Sequence, residues 1–98
     1  MTDPRLLKRW KIIESLLEGA RLSLPVPSTE NKVEYDHLLS QYKEFIDHNE
    51  LGLALDYMEL LGQLVPCSRA FWRSLLRAAQ LMELKEKFPV LKAQVWKK

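Results

Sequence analysis

The stretch that most limits what this chain can become is residues 42–64, YKEFIDHNELGLALDYMELLGQL. Its second half spreads Leu51, Leu53, Ala54, Leu55, Tyr57, Met58, Leu60, Leu61 and Leu64 over well more than half of a helical wheel and leaves Gly52, Asp56, Glu59 and Gln63 as the only polar ridge. A helix so apolar cannot face water on two sides, so neighbouring segments must pack around it. His48, Asn49 and Glu50 in front of it leave room only for a tight turn. Asn tolerates the left-handed backbone that closes a helix and also serves as a cap for the next one, so the helices on either side are expected as antiparallel neighbours.

The remaining segments carry the faces such a core needs. Asp3 is placed to cap a first helix and Pro4 suits its first turn. Leu6, Trp10, Ile13, Leu17 and Ala20 then fall on one face, widened by Leu7, Ile12 and Leu16, with Lys8, Lys11, Ser15 and Glu18 opposite. A basic amphipathic helix can lie on a membrane, but an apolar face this wide favours a core. Residues 21–32 hold Pro25, Pro27, Ser28, Thr29 and Asn31 and read as a loop, long enough to let the first helix cross over the others. Asn31 with Glu34 three residues on has the form of a capping box for a second helix, whose Tyr35, Leu38, Leu39, Tyr42, Phe45 and Ile46 share an arc of roughly 120°. Gly62 and Pro66 bracket the end of the third helix, and Ser68 is a good cap for a fourth. There Phe71, Trp72, Leu75, Ala78, Ala79 and Met82 make the core face, and Pro89 separates a short last helix with Leu91, Val95 and Trp96 as its contacts.

No strand pattern and no internal repeat appears. The expectation is a single all-α domain over residues 1–98, a compact four- to five-helix bundle around a central, mostly buried third helix. The helices are expected at about 4–21, 32–48, 50–63, 68–84 and 89–97. No apolar run approaches the roughly 18 residues needed to span a bilayer, and the N-terminus lacks the form of a secretory signal. The single Cys67 excludes an internal disulfide and agrees with a reducing compartment, so a cytoplasmic location is expected.

The formal net charge of +2 hides a strong asymmetry. Residues 1–32 carry six basic and four acidic groups, residues 33–64 one and seven, and residues 65–98 eight and two. Such a chain presents an acidic and a basic surface, unless the two neutralise each other in the fold. The acidic set is Glu34, Asp36, Glu44, Asp47, Glu50, Asp56 and Glu59. Merged on two antiparallel helices it would attract a basic protein; dispersed, it is an ordinary solvated face. The basic stripe is Arg69, Arg73 and Arg77, with Lys85, Lys87, Lys92, Lys97 and Lys98 beyond it. It is suited to a phosphate backbone, to pairing with the acidic helices, or to solvent, and nucleic acid is disfavoured because RNA-module readout elements are missing and the acidic surface would repel it.

Catalysis is not expected. Cys67 is the only thiol, His37 and His48 stand eleven residues apart, and no nucleophile, base and acid recur at a recognised spacing. No cofactor and no metal is expected either: glycine-rich phosphate loops are absent, and two distant histidines make a poor ligand set.

Segment 45–60, FIDHNELGLALDYMEL, followed by FWRSLLRAAQLMEL at 71–84, resembles small bacterial immunity proteins of the MafI type. In those, a helix closing in a turn like HNE leads into an apolar LALD helix, and a later FW helix ends in a motif like LMxL. The resemblance implies a cytoplasmic antidote that binds a cognate polymorphic or contact-dependent toxin domain, often a basic nuclease, and the acidic set would then be its partner-binding surface. Two alternatives remain. HNELGLALDYMELL also looks like half of a tetratricopeptide unit, which would make a helical scaffold, although no 34-residue repeat follows. A small nucleic-acid-binding helical domain using the arginine stripe is the other.

Overall fold

The computed structural model describes residues 4–96. Expectations for the Asp3 cap, for Lys97 and Lys98 and for the side chain of Leu6 lie outside the described residues. Five α-helices follow one another: α1 Pro4–Leu22, α2 Lys32–Asp47, α3 Leu51–Leu64, α4 Arg69–Leu81 and α5 Phe88–Val95, the last entered through a 3-10 turn at Lys85–Lys87. The protein is a small all-α bundle, with no strand among the described residues. Its radius of gyration, 13.4 Å, is near the ~13 Å of a compact chain of about a hundred residues.

One cluster of buried side chains draws on every helix: Ile13 and Leu17 from α1, Leu38 and Tyr42 from α2, Leu55, Met58 and Leu61 from α3, Phe71 and Leu75 from α4, Leu91 and Val95 from α5. The middle is shared by α3, which touches α1, α2 and α4, and α4, which touches α1, α3 and α5. The 23–31 loop delivers α1 away from its neighbour in sequence, and α1 packs chiefly on α4. The two run antiparallel, since Leu16 borders Ala70 and Arg73 whereas Ile13 lies toward Leu81.

Close approach at the α3–α4 junction depends on Gly62. A Cβ there would lie 2.5 Å from Phe71 Cε1 and 2.7 Å from Trp72 Cη2, so the absence of a side chain seats both rings, which meet edge to face with centroids 5.1 Å apart. The cap expected at Ser68 is present, its Oγ accepting from the Phe71 N–H at 3.3 Å.

Several expectations need correction. Asn31 makes no capping box: its backbone is already helical and its amide donates to the Leu64 carbonyl at 3.4 Å, tying the start of α2 to the end of α3. Asn49 caps nothing with its side chain, and Glu50 takes the cap position of α3. The fourth helix stops at Leu81 rather than near 84, because Glu83 takes a left-handed backbone (φ 56°). Pro89 therefore breaks no helix; it sits in the first turn of α5. The apolar width of α1 is only partly used, since Leu7, Trp10 and Ile12 remain 45%, 44% and 52% exposed. Trp96, expected as a contact of α5, is exposed.

Candidate functional site: two charged surfaces

The two corners of the bundle share one backbone solution. At the first, the C-terminus of α2, the Asn49 N–H donates to the Ile46 carbonyl and the Glu50 N–H to the Phe45 carbonyl, with Asn49 at φ 57°. At the second, the Glu83 N–H donates to the Gln80 carbonyl and the Leu84 N–H to the Ala79 carbonyl. Both are Schellman closures, in which the two residues past the cap satisfy carbonyls of the last turn. The residue that follows is also alike, φ −90° and ψ 71° at Glu50 against φ −86° and ψ 72° at Leu84.

These corners divide the acidic residues by role. Asp56 and Glu59, one turn apart on α3, both hold the ammonium of Lys87, which the second corner and its 3-10 turn deliver; the Glu59 contact is 3.1 Å. The side chains of Lys87 and Glu59 are 20% and 14% exposed. Burial by itself lowers the Lys87 pKa, but hydrogen bonds and charge attraction from Asp56 and Glu59 outweigh it and leave it above the usual lysine value. Glu59, expected on the acidic partner-binding surface, is instead largely enclosed, with its charge matched inside the molecule. Pairing with the acidic helices is one of the expectations for the basic residues, and Lys87 fulfils it; the choice of Glu59 is not legible, because a partner 28 residues away leaves no mark in local spacing.

The rest of the acidic set is exposed. Asp36 pairs with Lys32 across one helical turn at 3.1 Å. Among the described residues, Glu34, Glu44, Asp47 and Glu50 have no cation within salt-bridge distance, and the last three surround the first corner. Glu34 stands near the other end of α2, beside a depression lined by Leu38, Leu60 and Leu64. The seven carboxylates therefore do not merge into one patch. They form an open group at the α2–α3 corner, a paired group on α3, and the separate positions Glu34 and Asp36. His48 Nδ1 donates to the Glu44 carbonyl at 2.8 Å, which holds the imidazole against the end of α2.

Between α1 and α2, Glu18 accepts from Arg21 Nε at 2.6 Å and from the Tyr42 hydroxyl at 3.3 Å. Tyr42 is fully buried, and desolvation, with the Glu18 charge and hydrogen bond adding, raises its pKa far above the usual phenol value. This pairing keeps the one buried phenol satisfied and acts on the fold.

Arg69, Arg73 and Arg77 are exposed along α4, and none has a carboxylate within salt-bridge distance among the described residues. The acidic residues of α3 thus neutralise Lys87 and leave the three arginines open. Arg73 and Arg77 flank an open groove of about 340 Å³ between α1 and α4, completed by Leu16, Ala70 and Ser74. Another depression, of about 600 Å³, lies at the α3–α4 junction against Val65, Pro66, Cys67, Arg69, Trp72 and Gln94. Burial pushes the Cys67 thiol up to about 11, so it is a poor nucleophile near neutral pH. No group of three His, Cys, Asp or Glu side chains suited to a metal occurs among the described residues, and no helix there is long and apolar enough to cross a membrane.

No family model matches the chain, and neither a curated protein nor a solved structure shows significant similarity to it.

Proposed function

We propose that this chain is a binding protein of the immunity type, an antidote that works in the bacterial cytoplasm by capturing a basic toxin domain, a nuclease in the reading we favour, through the α2–α3 corner. The observation that carries this reading is the set of three exposed carboxylates, Glu44, Asp47 and Glu50, which among the described residues have no cation within salt-bridge distance, around a turn closed by two backbone hydrogen bonds. Fixed charges on a well-closed corner cost little ordering entropy on binding and speed the capture of a positively charged partner. A nuclease that grips a polyanion presents such a surface. Asp56 and Glu59 fall outside the proposed contact set because Lys87 already holds them. The resemblance of segments 45–60 and 71–84 to MafI-type immunity proteins supports the same reading, although most of those residues are packing residues.

The test is growth rescue. A basic nuclease toxin domain, sought among the genes beside this chain's own, is expressed in a bacterial host with the wild-type protein or with Glu44→Lys/Asp47→Lys/Glu50→Lys. Wild type restores growth and the triple variant, folded by circular dichroism, does not. Full protection by the triple variant would show the acidic corner to be irrelevant, and tight binding of random RNA or DNA at physiological salt would replace the antidote reading with a nucleic-acid one.

A further inference from the structure

The α1–α4 groove lies apart from the corner assigned above and does not depend on that assignment. Its floor is Leu16 and Ala70, and along α1 the residues Lys8, Ile12 and Leu16 succeed one another at four-residue spacing, with Ile12 52% exposed. Its α4 wall is Ser74 with Arg73 and Arg77, one turn or about 6 Å apart along the helix axis. No acidic side chain lines it. Of the two carboxylates on α1, Glu18 is engaged with Arg21 and Tyr42, and Glu14 lies near enough to Tyr42 to help raise its pKa.

We propose that this groove is a second protein-binding surface, whose occupant is an acidic amphipathic helix of a partner protein. Its apolar stripe would cover Ile12, Leu16 and Ala70, and its carboxylates at i and i+4 would pair with Arg73 and Arg77. The charge calls for an anion, and guanidinium groups bind carboxylates through two parallel hydrogen bonds. The floor decides which anion. Phosphate backbones bring no aliphatic surface to cover Leu16 and Ile12, and the lining has no aromatic ring on which a base could stack. A helix laid in a groove supplies apolar anchors and flanking charge from one face. Arginine row and aliphatic row both follow four-residue spacing, so one straight helix matches them together.

The probe is a labelled synthetic helix with a leucine stripe bordered by glutamates at i and i+4, titrated with the full chain and read by fluorescence anisotropy and by amide shift mapping. Binding is expected at low salt, with shifts centred on Ile12, Leu16, Ala70, Arg73 and Arg77. It should weaken about tenfold or more when every glutamate is replaced by glutamine, and equally in Arg73→Glu/Arg77→Glu. The same double variant should gain binding to a peptide carrying lysines in place of the glutamates. Ile12→Ser, at an exposed position, should weaken the acidic peptide with an unchanged unfolding midpoint. Equal binding of the glutamine peptide, shifts centred elsewhere, no binding by either peptide, a single-stranded oligonucleotide that outcompetes the acidic helix, or self-association of the chain through this face would each overturn the proposal.

Discussion

The two corners, His48–Asn49–Glu50 and Met82–Glu83–Leu84, close their helices with the same pair of backbone hydrogen bonds and the same sequence of backbone angles. Yet they do different work. The second packs the partly buried Leu84 against the core and leads into the turn that inserts Lys87 between Asp56 and Glu59, joining the C-terminal part of the chain to α3. The first leaves its charges in water. Equivalent backbone geometry thus says nothing about role; the difference is whether a counter-charge reaches the carboxylates. An acidic residue with a partly buried cation is part of the fold, and an acidic residue without one is available to a partner.

The largest effect expected from testing this contrast comes from the second corner. Lys87→Ala leaves Glu59 and Asp56 side by side with Glu59 nearly enclosed, and should lower stability by about 2 kcal/mol, between the values of exposed and buried pairs. Urea unfolding measures it, and adding Asp56→Asn/Glu59→Gln should recover part of the loss by removing the uncompensated charge. An unchanged midpoint in Lys87→Ala would break the distinction between the corners.

Next comes Asn49→Ala. It should cost about 1 kcal/mol, because alanine lacks the tolerance of asparagine for the left-handed backbone. Glu83→Gly at the matching position should raise stability by about 0.5 kcal/mol, as relief of the positive φ exceeds the extra entropy glycine brings to the unfolded chain. If the two changes had the same sign, the corners would not be equivalent in the backbone sense. The smallest effect is expected for Glu50→Lys, within about 0.5 kcal/mol, as for other exposed charges without partners.

Alkaline pH tests the same clamp. Lys87 and Tyr42 both have pKa values raised above their ordinary 10.5 and 10.0, and Cys67 is raised from 9.0 to about 11. In each case the folded state holds its proton more tightly than the unfolded state. The stabilisation is therefore complete below the ordinary value and is lost as pH rises through the raised one. Stability should be flat near neutrality and fall above about pH 9, and the fall should be shallower in Lys87→Met. A thermal melt series across pH 7 to 11 reads both.

The helical character and most of the core were legible because they rest on local periodicity: Leu38 and Tyr42, Leu55 and Met58, Phe71 and Leu75 sit where their spacing placed them. Asn49 was legible too, since its residue type matches its backbone. Glu83 was not, because a glutamate carries no signal for a left-handed conformation, and local patterning alone therefore carries the fourth helix past its end at Leu81. The exposure of Trp10 and Ile12 was also hidden, because a wheel shows how wide an apolar face is but not how much of it neighbours will cover. The acidic set failed as a single patch for a longer-range reason. Only the fold brings Lys87 to Asp56 and Glu59, and only its absence elsewhere leaves Glu44, Asp47 and Glu50 open.

The most direct test crosses the two groups. Binding to the basic toxin domain of the proposal and the urea midpoint are both measured for Glu44→Lys/Asp47→Lys/Glu50→Lys and for Asp56→Asn/Glu59→Gln. The account predicts a loss of affinity of about 100-fold with an unchanged midpoint in the first, and a lowered midpoint with retained affinity in the second. A first variant that binds like wild type, or a second that loses binding while keeping its midpoint, would contradict it.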